Sequence, residues 1–271
     1  MDYFYKDGKP KTYECYCAFI DILGFKGLIN SCTNLVELNE LLLKLERTQN
    51  KVLKKIKKYS MDSNLKFKVF SDNILLAWPI NPYDDGESEF GFLVLLLLEY
   101  QLDMALEGFF VRGGFSKGQL FINDDMIFGP ALLKAYELES EVALYPRIVF
   151  SDSVKKDINT HMKSYATKED SPQDYHIYCD SDNLYFINYL YTYSENFQYS
   201  QVRTMLLKHK ANIIQNLTDY KNNPKVLAKY NWLAMYHNFF CKTYKLEDRL
   251  DQRVFIFEDK YNPSIKRMSD L

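Results

Sequence analysis

Residues 18–25 read AFIDILGF, an aspartate set in an apolar stretch and followed at once by a glycine turn. A second acid has a similar setting in KVFSDNILLAW, residues 68–78. An isolated buried carboxylate costs several kcal/mol and normally protonates instead. The fold reading turns on why the chain places Asp21 and Asp72 there.

Working outward, residues 13–22 are partly alternating and rich in aromatic and β-branched side chains, which predicts a strand. GFKGLINSC then turns the chain. Leucines recur at helical spacing over 34–59, with Asn34 as the cap, and predict a long helix. Residues 65–78 hold two apolar runs around Ser-Asp-Asn, three turn formers, and predict two strands joined by a tight turn. PINPYDDGESE is a polar loop, and 89–107 a second helix ended by Gly108. FFVRGGFSKGQLFI, 109–122, reads as a strand whose glycines mark a bulge or close backbone packing. NDDM is a turn. IFGPALLKAYELESEVA becomes a helix with Pro130 in its first turn, and PRIVFS is another strand.

The order strand, helix, strand, strand, helix, strand is the β-α-β-β-α-β plan of ferredoxin-like α+β folds. The first strand is expected beside the hairpin of the second and third. Asp21, at the end of strand one, would then meet Asp72 at the hairpin turn. Residues 156–184 read as polar and irregular, DSDNLYFINYL (180–190) as an added strand, and about 197–245 as helical, with Pro224 separating two helices. The expected division is a core over 1–155 and, over 156–271, a strand addition and helical extension packed on it.

Apolar residues make up 47% of the 271, a globular composition. With 34 basic and 36 acidic residues there is no global positive field to hold nucleic acid. KVLKKIKK, 51–58, is the wet face of a helix whose dry face carries Leu45, Val52, Ile56 and Tyr59. Five cysteines without a C-x-x-C fit reduced thiols in a cytoplasmic protein. The start, MDYFYKDGKPK, lacks the layout of a signal peptide. FGFLVLLLL, 90–98, is too short to span a bilayer and reads as a buried helix, so no membrane partner is expected. His161, His176, His209 and His237 do not cluster, and His237 reads as a packing or capping residue.

Two acids brought together repel, and a divalent cation removes that cost. Mg²⁺ or Mn²⁺ prefers oxygen ligands and commonly takes one or two carboxylates plus substrate phosphates. Asp21 and Asp72 therefore read as a metal clamp on a polyphosphate, with the Ile22 carbonyl as a further oxygen. Leu23, Gly24 and Phe25 lead into a helix and offer backbone N–H groups to phosphate. Two ions per site would serve the attacking and leaving oxygens of an in-line displacement.

FIDILGF resembles the first metal motif of class III nucleotidyl cyclases, KVFSDNI the second, and VRGGFSKGQLF a further strand of that family. IFGPALLKAYELE lies where its signature helix begins. More narrowly, GPALLKAYELESEVALYPRIVFS, DNLYFINYL and KYNWLAMYHN resemble the bacterial Pycsar pyrimidine cyclases. The resemblance implies a ferredoxin-like core in a head-to-tail homodimer with active sites at the interface. It implies closure of UTP, or alternatively CTP, to a 3′,5′-cyclic nucleotide with loss of diphosphate, using Mn²⁺ or Mg²⁺. The product would act on a separate effector protein in antiphage defence. Asp21 and Asp72 carry over as metal ligands, Ile22 as the carbonyl ligand, and Leu23, Gly24 and Phe25 as the phosphate loop.

The chain departs from the family in two places. Purine-directed members carry Asn and Arg, four apart, on the helix after the glycine at 129; here Leu133 and Glu137 stand there. Another cation is needed, with Arg112, Lys134 and Arg147 as candidates. Lys68 stands where purine cyclases place a base-reading Lys, yet the partner Asp is replaced by Met126, which leans against ATP. Asp125 and Tyr136 are left to meet a pyrimidine. A diguanylate-cyclase relationship would need an acid that RGGFS lacks. The remaining alternative is a degenerate cyclase that binds nucleotide as a sensor.

Overall fold

The computed structural model describes residues 3–61, 64–193, 199–246, 252–256 and 264–271, excluding the side chains of 59–61, 193, 199 and 252. A small hairpin, β1 (Tyr5–Lys6) with β2 (Lys9–Pro10), precedes β3 (Tyr13–Ile22). Next come α1 (Phe25–Ser31), α2 (Leu35–Met61), β4 (Lys66–Phe70), β5 (Asn73–Pro79), α3 (Glu87–Leu106) and β6 (Val111–Ile122). Then follow β7 (Ile127–Phe128), α4 (Pro130–Glu137), a π-helical turn (Leu138–Val142) and β8 (Ile148–Phe150). The remainder is α5 (Asp152–His161), α6 (Pro172–His176), β9 (Ile177–Cys179), β10 (Tyr185–Ile187), α7 (Tyr199–Asp219), α8 (Pro224–Thr243) and β11 (Lys266–Arg267). The architecture is α+β, and β3 to β6 with their helices follow the expected β-α-β-β-α-β order.

One detail of the expected pairing is corrected. The sheet order is β11-β9-β10-β8-β6-β3-β5-β4, so β3 lies beside β5 and β6 and does not touch β4. The crossover through α2 returns β4 parallel to β3, and the tight turn inserts β5 antiparallel between them. Other expectations also shift. GFKGLINSC is mostly the helix α1, and the stretch over 156–184 holds much of α5, all of α6 and β9 instead of being irregular. Its short amphipathic pieces are hidden from sequence periodicity by their length. Asn34 caps α2 as expected, its Oδ1 accepting from the Glu37 N–H at 3.0 Å. Leu45, Val52 and Ile56 form the buried stripe of α2, while the Tyr59 side chain and residues 197–198 lie outside the described part. All five cysteines are unbridged, and no helix among the described residues is long and apolar enough to cross a membrane.

The pleat of β3 divides the core. Tyr16, Ala18, Ile20 and Ile22 point into the large cluster shared with α3, whereas Cys15, Cys17 and Phe19 join a smaller cluster under α4. Asp21 continues the second set. Gly114 of β6 lets α4 lie directly on the sheet, since a Cβ there would run into the Ala135 carbonyl oxygen.

The sheet continues without a break past residue 155, because β10 pairs with β8. Arg147 fastens this seam. Its guanidinium is buried, pairs with Asp180 and Asp182, and lies over the rings of Tyr145, Phe186 and Trp232. Trp232 Nε1 also donates to Asp180, at 2.7 Å. Arg147→Ala leaves that carboxylate buried without its cation and is expected to lower stability by about 3–5 kcal/mol. Denaturant unfolding measures this, and a loss under 1 kcal/mol would show, by the same principle, that the ion pairs are dispensable.

The histidines are corrected too, since His209 of α7 and His237 of α8 are in contact. His237 Nε2 lies 2.8 Å from the Val254 carbonyl, which only accepts, so Nε2 holds the proton and Nδ1 is bare. His209 Nδ1, 2.9 Å away, therefore donates, and its Nε2 accepts from the Tyr189 hydroxyl at 2.7 Å. A proton added to either ring breaks the chain. Burial pushes both below the ordinary histidine value of 6.5, His237 to about 4. The unfolded chain then takes up protons that the fold refuses, so stability falls as pH drops through 6.5. Between pH 7 and pH 5 the His237 share of the loss is about 2 kcal/mol, readable from denaturant midpoints; a flat profile would contradict the neutral relay.

Candidate active site

Asp21 sits at the carboxyl end of β3, directly across from Arg112 of β6. Asp72 is the second residue of the two-residue turn that Phe70 and Asn73 close. The turn is held in an unusual shape. Ser71 has φ 55°, a left-handed conformation that costs a non-glycine residue about 1 kcal/mol. The Gln49 side chain of α2 reaches its carbonyl at 3.5 Å, and Asn73 Nδ2 donates to Asp72 Oδ1 at 3.4 Å. Because β5 lies between β3 and β4, this turn hangs beside the end of β3. Asp21 and Asp72 are in hydrogen-bonding contact there.

The charges around them are unevenly matched. Arg112 Nη2 lies 2.7 Å from Glu139 Oε1 and 3.7 Å from Asp21 Oδ2, so its stronger partner is the glutamate. The 2.7 Å contact is an ion pair without hydrogen-bond geometry, which leaves Glu139 Oε1 without a hydrogen-bond donor. Burial, then the adjacent Asp72 and after it Glu139, push the Asp21 carboxyl up to about 7 against the pull of Arg112. Burial likewise raises Glu139. Asp21 and Glu139 therefore share one guanidinium, while Asp21 and Asp72 together offer carboxylate oxygens, the donors a hard divalent cation prefers. Among the described residues no three His, Cys, Asp or Glu side chains are placed so that they could hold a metal ion by themselves. A metal here would rest on Asp21, Asp72, the Ile22 carbonyl and oxygens from a ligand.

The loop after Asp21 is only partly free. The Leu23 N–H donates to the Phe110 carbonyl at 2.8 Å and is not available to a phosphate. Gly24 caps α1 with φ 74°, where a side chain would be strained although space is open. Phe25 begins α1. Lys68 donates to the Asp124 carbonyl, which joins its strand to the 123–126 turn and borders a cavity of about 410 Å³ lined also by Tyr3, Tyr5, Asn64 and Lys66. Asp125 lies in that turn.

Of the three candidate cations only Arg112 is at the acids. Arg147 is locked in its buried pairs, which corrects its candidacy. Lys134 is exposed on α4 and pairs with Glu137 at 2.8 Å. Tyr136 packs edge-on to Phe19, with ring centres 5.6 Å apart.

Sequence reasoning missed three neighbours. Glu139 is hidden in the acid-rich run ELESE and reaches the site because α4 loosens into a π-helical turn, a distortion frequent at functional sites. Tyr100 lies buried in α3 and feels the field of both aspartates. Lys229 of α8 feels Asp21 and Glu139, which lie 208 and 90 residues earlier, a span that no local pattern bridges.

A comparison with protein-family models finds no match, and neither does one with curated proteins. Among solved structures, the chain is similar to the adenylyl cyclase CyaB from P. aeruginosa, at 19% identity and a TM-score of 0.43, over 55% of this chain and 82% of that one. It is also similar to two structures of a bacterial light-regulated adenylyl cyclase, at 15% identity each. Their TM-scores are 0.47, over 67% of this chain and 53% of that one, and 0.42, over 75% and 58%. The chain thus spans little more than half of each light-regulated enzyme. Likenesses this loose carry no inference about activity, which rests on the site itself.

Replacing Asp72 by Asn removes one of two crowded carboxylates. Without added metal, Asp72→Asn is expected to stabilise the fold by about 1 kcal/mol at pH 8. Mn²⁺ should stabilise the parent and not the variant. Denaturant and thermal unfolding check both; a destabilised variant would show that the acids support each other.

Proposed function

We propose that the chain is a metal-dependent nucleotidyl cyclase that converts UTP, or alternatively CTP, to the 3′,5′-cyclic monophosphate and diphosphate. The observation that carries this reading is the meeting of Asp21 and Asp72 at the end of β3. Motif resemblance to the Pycsar cyclases supports the pyrimidine preference and the role of the product as a second messenger in antiphage defence. Residues 1–155 would form the cyclase core, and 156–271 the extension that lengthens its sheet and packs helices on it.

In the reaction the ribose 3′-oxygen attacks the α-phosphorus and loses its proton as the bond from that phosphorus to the diphosphate oxygen breaks. Two Mn²⁺ or Mg²⁺ ions, held by Asp21, Asp72 and the Ile22 carbonyl, would supply charge neutralisation and a more acidic 3′-hydroxyl. Arg112 holds Asp21 in place through its ion pair and ties it to Glu139. Gly24 and Phe25 offer the remaining backbone N–H groups of the loop to phosphate. Lys68, with the 123–126 turn, would hold the base, and Asp125 and Tyr136 would contact it; Lys134 would reach substrate only by leaving Glu137.

A homodimer completes the reading. Phe19, two residues before Asp21 and on its face, contacts Phe70 as well as Tyr136. Phe70, Tyr136 and Leu133 are each more than half exposed, an apolar rim suited to a second copy. The closeness of Arg112 to Asp21 favours a second reading, in which the acids are neutralised internally and the chain only binds nucleotide.

Incubation with Mn²⁺ and each of the four ribonucleoside triphosphates, followed by mass analysis, separates the two. Cyclic UMP or CMP is expected, and Asp72→Asn should abolish it with the fold retained. Binding without turnover would favour the sensor; a fully active Asp72→Asn would remove the proposed site. Specific activity should fall on dilution below the dimer dissociation constant, and activity independent of concentration in a monomer would exclude the shared site.

A further inference from the structure

Leu133 and Glu137 stand on α4 where purine-directed class III cyclases carry Asn and Arg, and Arg112 is committed to Glu139 and Asp21. A triphosphate brings more negative charge than these residues answer. The described structure offers one further cation at this point, on an element outside the core.

That element is α8. Tyr230 is buried, edge-on to Phe110 with ring centres 5.7 Å apart and stacked on Tyr220 of the preceding turn. Phe110 is also the residue whose carbonyl takes the Leu23 N–H, so α8 is seated against the loop that follows Asp21. Lys229, next to Tyr230 on the helix seated there, lies within the electrostatic reach of Asp21 and Glu139. It is half-buried and makes no hydrogen bond or ion pair among the described residues. Lys225, one helical turn earlier, lies on the same face. Burial, then Arg112 and Lys225, lower the Lys229 ammonium from its ordinary value despite Asp21 and Glu139. Half-burying a cation beside two others without a direct partner is unfavourable unless an anion arrives.

We propose that Lys229 is a substrate-binding cation that contacts the polyphosphate of the nucleotide, supplied by the C-terminal helix of the same chain. This rests on the cyclase reading. It makes α8 part of the site, and a phosphate tail entering between α8 and the Asp21 loop would take the ammonium's hydrogen bonds as its partners.

The test is calorimetric titration of inorganic tripolyphosphate with Mg²⁺ into the parent, Lys229→Ala, Lys229→Arg and the control Lys208→Ala, whose lysine pairs with Glu107 on the surface. Alanine is a good helix former, so Lys229→Ala keeps α8. The parent should bind, Lys229→Ala should lose about 10- to 100-fold in affinity, and Lys229→Arg should stay within about threefold. Lys208→Ala should match the parent. Equal affinity of parent and Lys229→Ala overturns the role of Lys229 and leaves the cyclase reading standing. A parent that binds no tripolyphosphate and forms no cyclic nucleotide overturns both.

Discussion

Everything at the candidate site follows from placing carboxylates closer together than water alone would allow. Asp21 cannot move, because its strand is paired on both sides, to β5 and to β6. Asp72 cannot move far, because a two-residue turn with a left-handed Ser71 fixes it. The backbone therefore sets the repulsion, and the side chains around it settle how that repulsion is met. Arg112 answers part of it, from the one position in β6 that faces Asp21. The remainder stands as a raised Asp21 carboxyl, pushed up by burial and by Asp72 beside it.

The same backbone logic reaches outward from the acids. Glycine at 114 lets α4 press on β6, and that contact carries the chain into the π-helical turn where Glu139 swings under Arg112. A side chain at 114 would lift α4 and take Glu139 away from the guanidinium. On the other side, the Phe110 carbonyl joins the loop after Asp21 to the strand, and the Phe110 ring carries α8. Charge, loop and C-terminal helix are thus linked through a handful of main-chain contacts.

Much of this was readable in advance where the signal was local. The apolar setting of Asp21, the turn chemistry of Ser-Asp-Asn and the leucine spacing of α2 each point to one structure, and each was found. The order of elements carried the ferredoxin-like plan. The exact strand order did not follow as simply, since a hairpin can present either strand to its neighbour and only the direction of the crossover decides. What sequence could not reach was long-range pairing of ordinary residues. Arg147 looked like a free cation because Asp180 and Asp182 lie 33 and 35 residues on. His209 and His237 looked isolated because only the packing of α7 on α8 joins them. Glu139 was one acid among several in its run, and nothing in its neighbours marks it.

The seam at Arg147 has a consequence for how such a chain could be divided or rearranged. Its guanidinium belongs to the segment leading into β8, while both counter-charges and the Trp232 ring come from residues far downstream. A fragment ending near residue 155 would inherit an arginine shaped for company it no longer has, next to an uncovered strand edge where β10 had paired. The strand β8 and the downstream residues that answer its arginine behave as one inheritance: neither can be swapped for a foreign module without rewriting position 147 at the same time.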